Sequence, residues 1–84
     1  MNKREAKTRI KSLLEAIGDL KDKVDELKSD AECERDEMEP YEGRSELTPN
    51  QEEKQEWLDN VASTLEELFD NLESSQGELE GYLE

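Results

Sequence analysis

The chain has no histidine and a single cysteine, Cys33. The first absence removes the commonest general acid–base and the usual activator of a nucleophile. Together the two leave no zinc ligand set, and one cysteine allows no intrachain disulfide. Long apolar runs are missing too. No stretch approaches the ~20 residues needed to cross a bilayer. The basic start, MNKREAKTRI, is not followed by an apolar segment of signal length. A reducing cytoplasm is therefore the expected location. Glycine-rich phosphate loops are absent, and EPYEGRSEL does not space oxygen ligands as a calcium loop does. The di-iron signature of helical bundles, Glu-x-x-His, needs the missing histidine. Cys33 has Glu32 and Glu34 as neighbours, an environment that disfavours a reactive thiolate. Neither an enzyme nor a cofactor or metal is expected.

Positive charge is scarce as well. There are 25 acidic against 11 basic side chains, a net charge of −14. Such a chain repels nucleic acid and anionic membrane surfaces and favours basic partners. Its 84 residues allow one small domain, near the size at which a single core barely sustains a fold. With 43% charged and 31% hydrophobic residues, charge alone would permit a disordered chain. The apolar residues are strictly periodic, however, and that periodicity predicts helices.

In the first half Ile10, Ile17, Val24, Ala31 and Met38 recur every seven residues, with Leu13, Leu20 and Leu27 three positions after the first three. This is an a/d heptad pattern, β-branched mostly at a and leucine at d, with Glu34 interrupting the d row. The second half has Leu58, Leu65, Leu72 and Leu79 at a, and Val61, Leu68, Ser75 and Tyr82 at d. Asn2 and Glu5 offer a capping box at the start of the first helix. Pro40 ends it near Glu37 or Met38. Thr48, Pro49 and Gln51 supply an N-cap, a first-turn proline and a second box for the next helix. The pattern predicts helices over about 3–38 and about 49–82, joined by a corner at 39–48, with fraying after about residue 74.

Equal lengths and a short link predict an all-α antiparallel two-helix coiled-coil hairpin. Residues 1–28 carry 8 basic and 6 acidic groups, whereas residues 48–84 carry 1 and 11. Folding back would set Lys3, Arg4, Lys7 and Arg9 beside the acidic end of the second helix. The expected register pairs Leu20 with Leu65 and Val24 with Val61; a slip of one heptad is the alternative, disfavoured because it sets Glu34 against Leu58.

One seam between two helices is little support for a chain of this size. Leu14, Ala62, Phe69 and Leu83 all fall at e positions and would line one edge of the hairpin, with Trp57 on or near the other. The edge strip would widen the core, dock another protein, or join two hairpins into a homodimeric four-helix bundle. The homodimer is the favoured expectation.

On the second helix position b is acidic five times running: Glu52, Asp59, Glu66, Glu73 and Glu80. Glu53, Glu56, Glu67, Asp70 and Glu84 extend the acidic face at c and f, and Lys54 is the only cation of that half. Exposed helices ordinarily interleave signs to gain i,i+4 pairs; this one does not. The expected partner-binding face is therefore Glu52, Glu56, Asp59, Glu66, Glu67, Asp70 and Glu73. It suits a basic protein surface, such as the groove of a host nucleic-acid-binding enzyme, and the alternative is a face that only confers solubility on an assembly protein. At the corner, Tyr41, Arg44 and Leu47 are residue types that anchor interfaces, although Tyr41 and Leu47 would more simply cover the end of the coiled coil.

The stretch EPYEG…LTPNQEEKQEW, residues 39–57 between two heptad-bearing helices, resembles a segment of small acidic helical proteins of bacterial phages and mobile elements. The resemblance implies an inhibitor of a host nucleic-acid-binding protein, of the anti-restriction or anti-CRISPR kind. It assigns a role to no individual residue.

Overall fold

A computed structural model describes all 84 residues. Helix α1 runs Lys3–Asp36 and helix α2 Pro49–Gly81, 34 and 33 residues long, and they pack against each other along a rod of 67 × 18 × 15 Å. The radius of gyration is 19.4 Å, against about 12 Å for a compact domain of this length. A two-helix layer with nothing behind it has this shape.

The ends of the helices follow local chemistry. Asn2 accepts the Glu5 N–H at 2.8 Å, but the Glu5 carboxylate turns to Arg9 at 3.2 Å, so only half of the expected first box forms. At Thr48 both halves are present: Gln51 N–H donates to the Thr48 hydroxyl, and Thr48 N–H donates to the Gln51 side chain at 2.9 Å. The Gln51 amide also donates to the Glu39 carbonyl, tying the corner to the helix it precedes. Helix α1 stops at Asp36, where the Glu37 N–H closes onto the Cys33 carbonyl at 2.9 Å. Gly43 turns the corner with φ +84°, a left-handed conformation that other residues adopt at a cost. Helix α2 continues through Ser74, Ser75 and Gly77 to Gly81.

The seam differs from the expected a/d contact. The a rows do face inward: Val24, Ala31 and Leu58 are buried, and Ile10, Ile17, Leu65, Leu72 and Leu79 are half-buried. The second inner row is e rather than d. Ala62 is buried, at 3% exposure, and Leu14, Phe69 and Leu83 are half-buried. These four therefore lie on the inner side of the hairpin, not along a free outer edge. The expected d row is turned out, with Leu13, Leu20 and Leu27 at 51%, 45% and 54% exposure and Leu68 at 41%.

Helix α1 places cations in the turned-in row. Its e row also carries Lys21, Lys28 and Arg35, whose aliphatic stems cover apolar surface while their charged ends reach outward. Lys21 Nζ lies 5.0 Å from the centroid of the Phe69 ring and donates to Gln76 Oε1 at 3.0 Å. Arg35 bonds Asp59, and Gln55 donates to the Arg35 carbonyl. Ala31, Leu58 and Ala62 form the one buried cluster, with Met38 packed against it.

The register is displaced too. The expected pairing would set Lys21 beside Thr64 and Arg35 beside Asn50. Instead Lys21 meets Phe69 and Gln76, and Arg35 meets Gln55 and Asp59. The shift approaches one heptad. The objection to that slip disappears because Glu34 has left the seam and pairs with Lys54 at 2.7 Å.

Candidate interaction surfaces

With a and e inward, the hairpin has two broad sides of opposite character. In an antiparallel pair, like positions of the two helices border the same side. Two cross-helix ion pairs mark which is which. Glu34–Lys54 joins d to d on one side, and Arg35–Asp59 joins e to b on the other.

The b side is the carboxylate side. Glu52, Asp59, Glu66, Glu73 and Glu80 follow one another every seven residues, roughly 10 Å apart along the axis. Glu53, Glu56, Glu67, Asp70 and Glu84 continue this surface around the outer flank of α2, and all ten residues are exposed. Only Asp59 among them has a cation within ion-pair distance. Hydrogen bonds from Arg35 to Asp36 and then to Asp59 raise the pKa of its guanidinium. Lys3, Arg4, Lys7 and Arg9 make no ion pair with α2; Arg9 holds Glu5 of its own helix. The cross-helix pairs lie toward the corner instead, leaving the acidic end of α2 unneutralised.

The d side is the leucine side, and sequence periodicity did not single it out as a surface. Leu13, Leu20 and Leu27 line it from α1, and Leu68 and Tyr82 from α2, the latter at 69% exposure. Trp57, at 62% exposure, stands at the neighbouring g position, beside a shallow depression of about 280 Å³ lined by Val61 and Thr64. One signal for this surface was present in the sequence. Positions d and g hold no acidic residue from Ala6 to Leu27 or from Trp57 to Ser75, in a chain with 25 of them.

At the corner Tyr41 is 62% exposed and therefore does not cover the end of the coiled coil, while Leu47 is half-buried. Arg44 is exposed, its N–H bonded to the Tyr41 carbonyl at 3.0 Å and its guanidinium in no ion pair. Together with Gly43 and Glu52 it borders an open, polar depression of about 550 Å³. Cys33 is exposed on the outer flank of α1. No three carboxylates or thiols converge as metal ligands would, and no helix is long and apolar enough to cross a membrane. No known protein family, characterised protein or solved structure is significantly similar to the chain.

Proposed function

We propose that the chain is a non-enzymatic protein-interaction module whose carboxylate side occupies the basic groove of a nucleic-acid-binding protein, as an acidic decoy. The observation that carries this reading is the run of ten exposed carboxylates from Glu52 to Glu84, nine on α2 and one just beyond it, with only Asp59 neutralised. Spread over ~50 Å of helix, they give about one charge per 5 Å of axis, against one per ~3.4 Å for a single nucleic-acid strand. Two copies narrow that gap. The decoy holds lysine and arginine residues that otherwise hold phosphates, so its affinity falls steeply with salt. The working form is a homodimeric four-helix bundle in a reducing, cytoplasmic setting. The resemblance of residues 39–57 points the same way, toward an inhibitor of the anti-restriction or anti-CRISPR kind.

A second reading is supported by a different observation, the carboxylate-poor leucine side. In it the protein is an assembly or scaffold module, and the acidic face serves solubility alone. One variant separates the two. Changing Asp59, Glu66, Asp70 and Glu73 together to Asn or Gln abolishes partner capture from the native host if the decoy reading holds, with helix content unchanged. Capture by the wild type is lost between about 50 and about 200 mM salt, the range over which phosphate-like contacts weaken by orders of magnitude. Capture indifferent to both the substitutions and salt rejects the decoy.

A further inference from the structure

We propose that the leucine side is the face on which a second copy of this chain sits, closing two hairpins into a four-helix bundle. The inference rests on the dimeric form stated above and adds the face that carries it. The area is of the right size. The chain exposes 6726 Å², where a compact monomer of its 9.7 kDa exposes about 5,100 Å². The surplus, about 1,600 Å², falls within the roughly 1,000–2,500 Å² that each partner of an obligate homodimer buries. A side measuring 67 by 18 Å offers about 1,200 Å² in outline, enough to account for most of it.

The chemistry of that side is what a seam needs. Leu13, Leu20 and Leu27 form a line at seven-residue spacing, the arrangement that packs knobs into holes, yet each stands about half exposed. Across from them on α2, Leu68 is 41% exposed, between the uncharged Thr64 and Asn71. Arg9 and Lys23 are the only charges at d and g between Ala6 and Leu27, and both are basic.

Charge selects the occupant. Copies of a chain with net charge −14 repel one another over most of their surface. The leucine side is where that repulsion is least, and pairing there leaves both carboxylate sides facing outward, on opposite faces of the bundle. A basic partner is drawn to the other side, where the carboxylates stand. The symmetric dimer needs only one self-complementary patch, and this side supplies it.

Sedimentation equilibrium on the full chain tests the proposal. The expected mass is that of two chains, with a thermal midpoint that rises with protein concentration. Leu20→Glu combined with Leu68→Glu should raise the dissociation constant at least ~100-fold, because each dimer would then bury four unpaired carboxylates. Glu66→Gln on the carboxylate side should leave the mass at two chains. A wild-type mass of one chain with a concentration-independent midpoint overturns both the dimeric form and this face. A double-glutamate variant that remains dimeric overturns the face alone. Should that variant lose its helix at low concentration, the milder Leu20→Ala decides: a dissociation constant equal to the wild type's also overturns the face.

Discussion

The two broad sides of the hairpin are built from the same two helices and differ in almost every respect. The carboxylate side presents five acidic residues in line along α2 and one cross-helix ion pair, Arg35–Asp59. The leucine side presents half-exposed Leu13, Leu20, Leu27 and Leu68 and no acidic group through its middle. The segregation of charge to one side of so thin a molecule suits the two sides to different environments. Water or a basic partner suits the first, and an apolar partner of equal length suits the second.

Two matched substitutions separate seam from side, and they give the largest effect. Leu58→Ala removes a buried side chain from the Ala31–Leu58–Ala62 cluster and should destabilise the chain by about 2–5 kcal/mol at any concentration, read by urea unfolding. Leu20→Ala makes the same chemical change on the leucine side. Its effect should appear as weakened association, with the single hairpin's own seam untouched. Equal, concentration-independent losses for the two would erase the distinction between inner row and outer side.

A smaller effect is expected at the corner, which serves both sides equally. Thr48→Ala removes the N-cap that accepts the Gln51 N–H and should cost about 1 kcal/mol, roughly 4–8 °C in the thermal midpoint of so small a domain. It should change neither mass nor partner capture. The smallest effect belongs to the exposed pair at the edge of the leucine side. Lys54→Ala breaks the bond to Glu34 and should cost about 0.2–1 kcal/mol, detectable only by a double-mutant cycle with Glu34→Ala.

Much of the architecture was legible because it is written locally. Pro40, Gly43 and the Thr48-Pro49-x-Gln51 run each act within a few residues, and α1 ends at Asp36, short of the expected end near Met38. The inner face was not legible from apolar spacing alone. On α1 the d row is Leu13, Leu20 and Leu27, whereas the e row is Leu14 with Lys21, Lys28 and Arg35, and hydropathy favours the former. With e inward, the contacts across helices are Lys21 over Phe69 and Arg35 with Asp59. Such pairings depend on register, and register is a property of both helices together. The same rotation moved Leu14, Ala62, Phe69 and Leu83 from an expected edge into the seam. The acidic row at b was legible in full, since its residues are exposed whichever neighbour of the a row turns inward.

Distances between two copies test the central claim most directly. On a Cys33→Ser background, one spin label is placed on the leucine side by Lys23→Cys, and in a separate sample one on the carboxylate side by Glu66→Cys. Dipolar spectroscopy should find the Lys23→Cys labels of two chains much closer together than the Glu66→Cys labels. The opposite order, or no coupling between chains at either position, would contradict it.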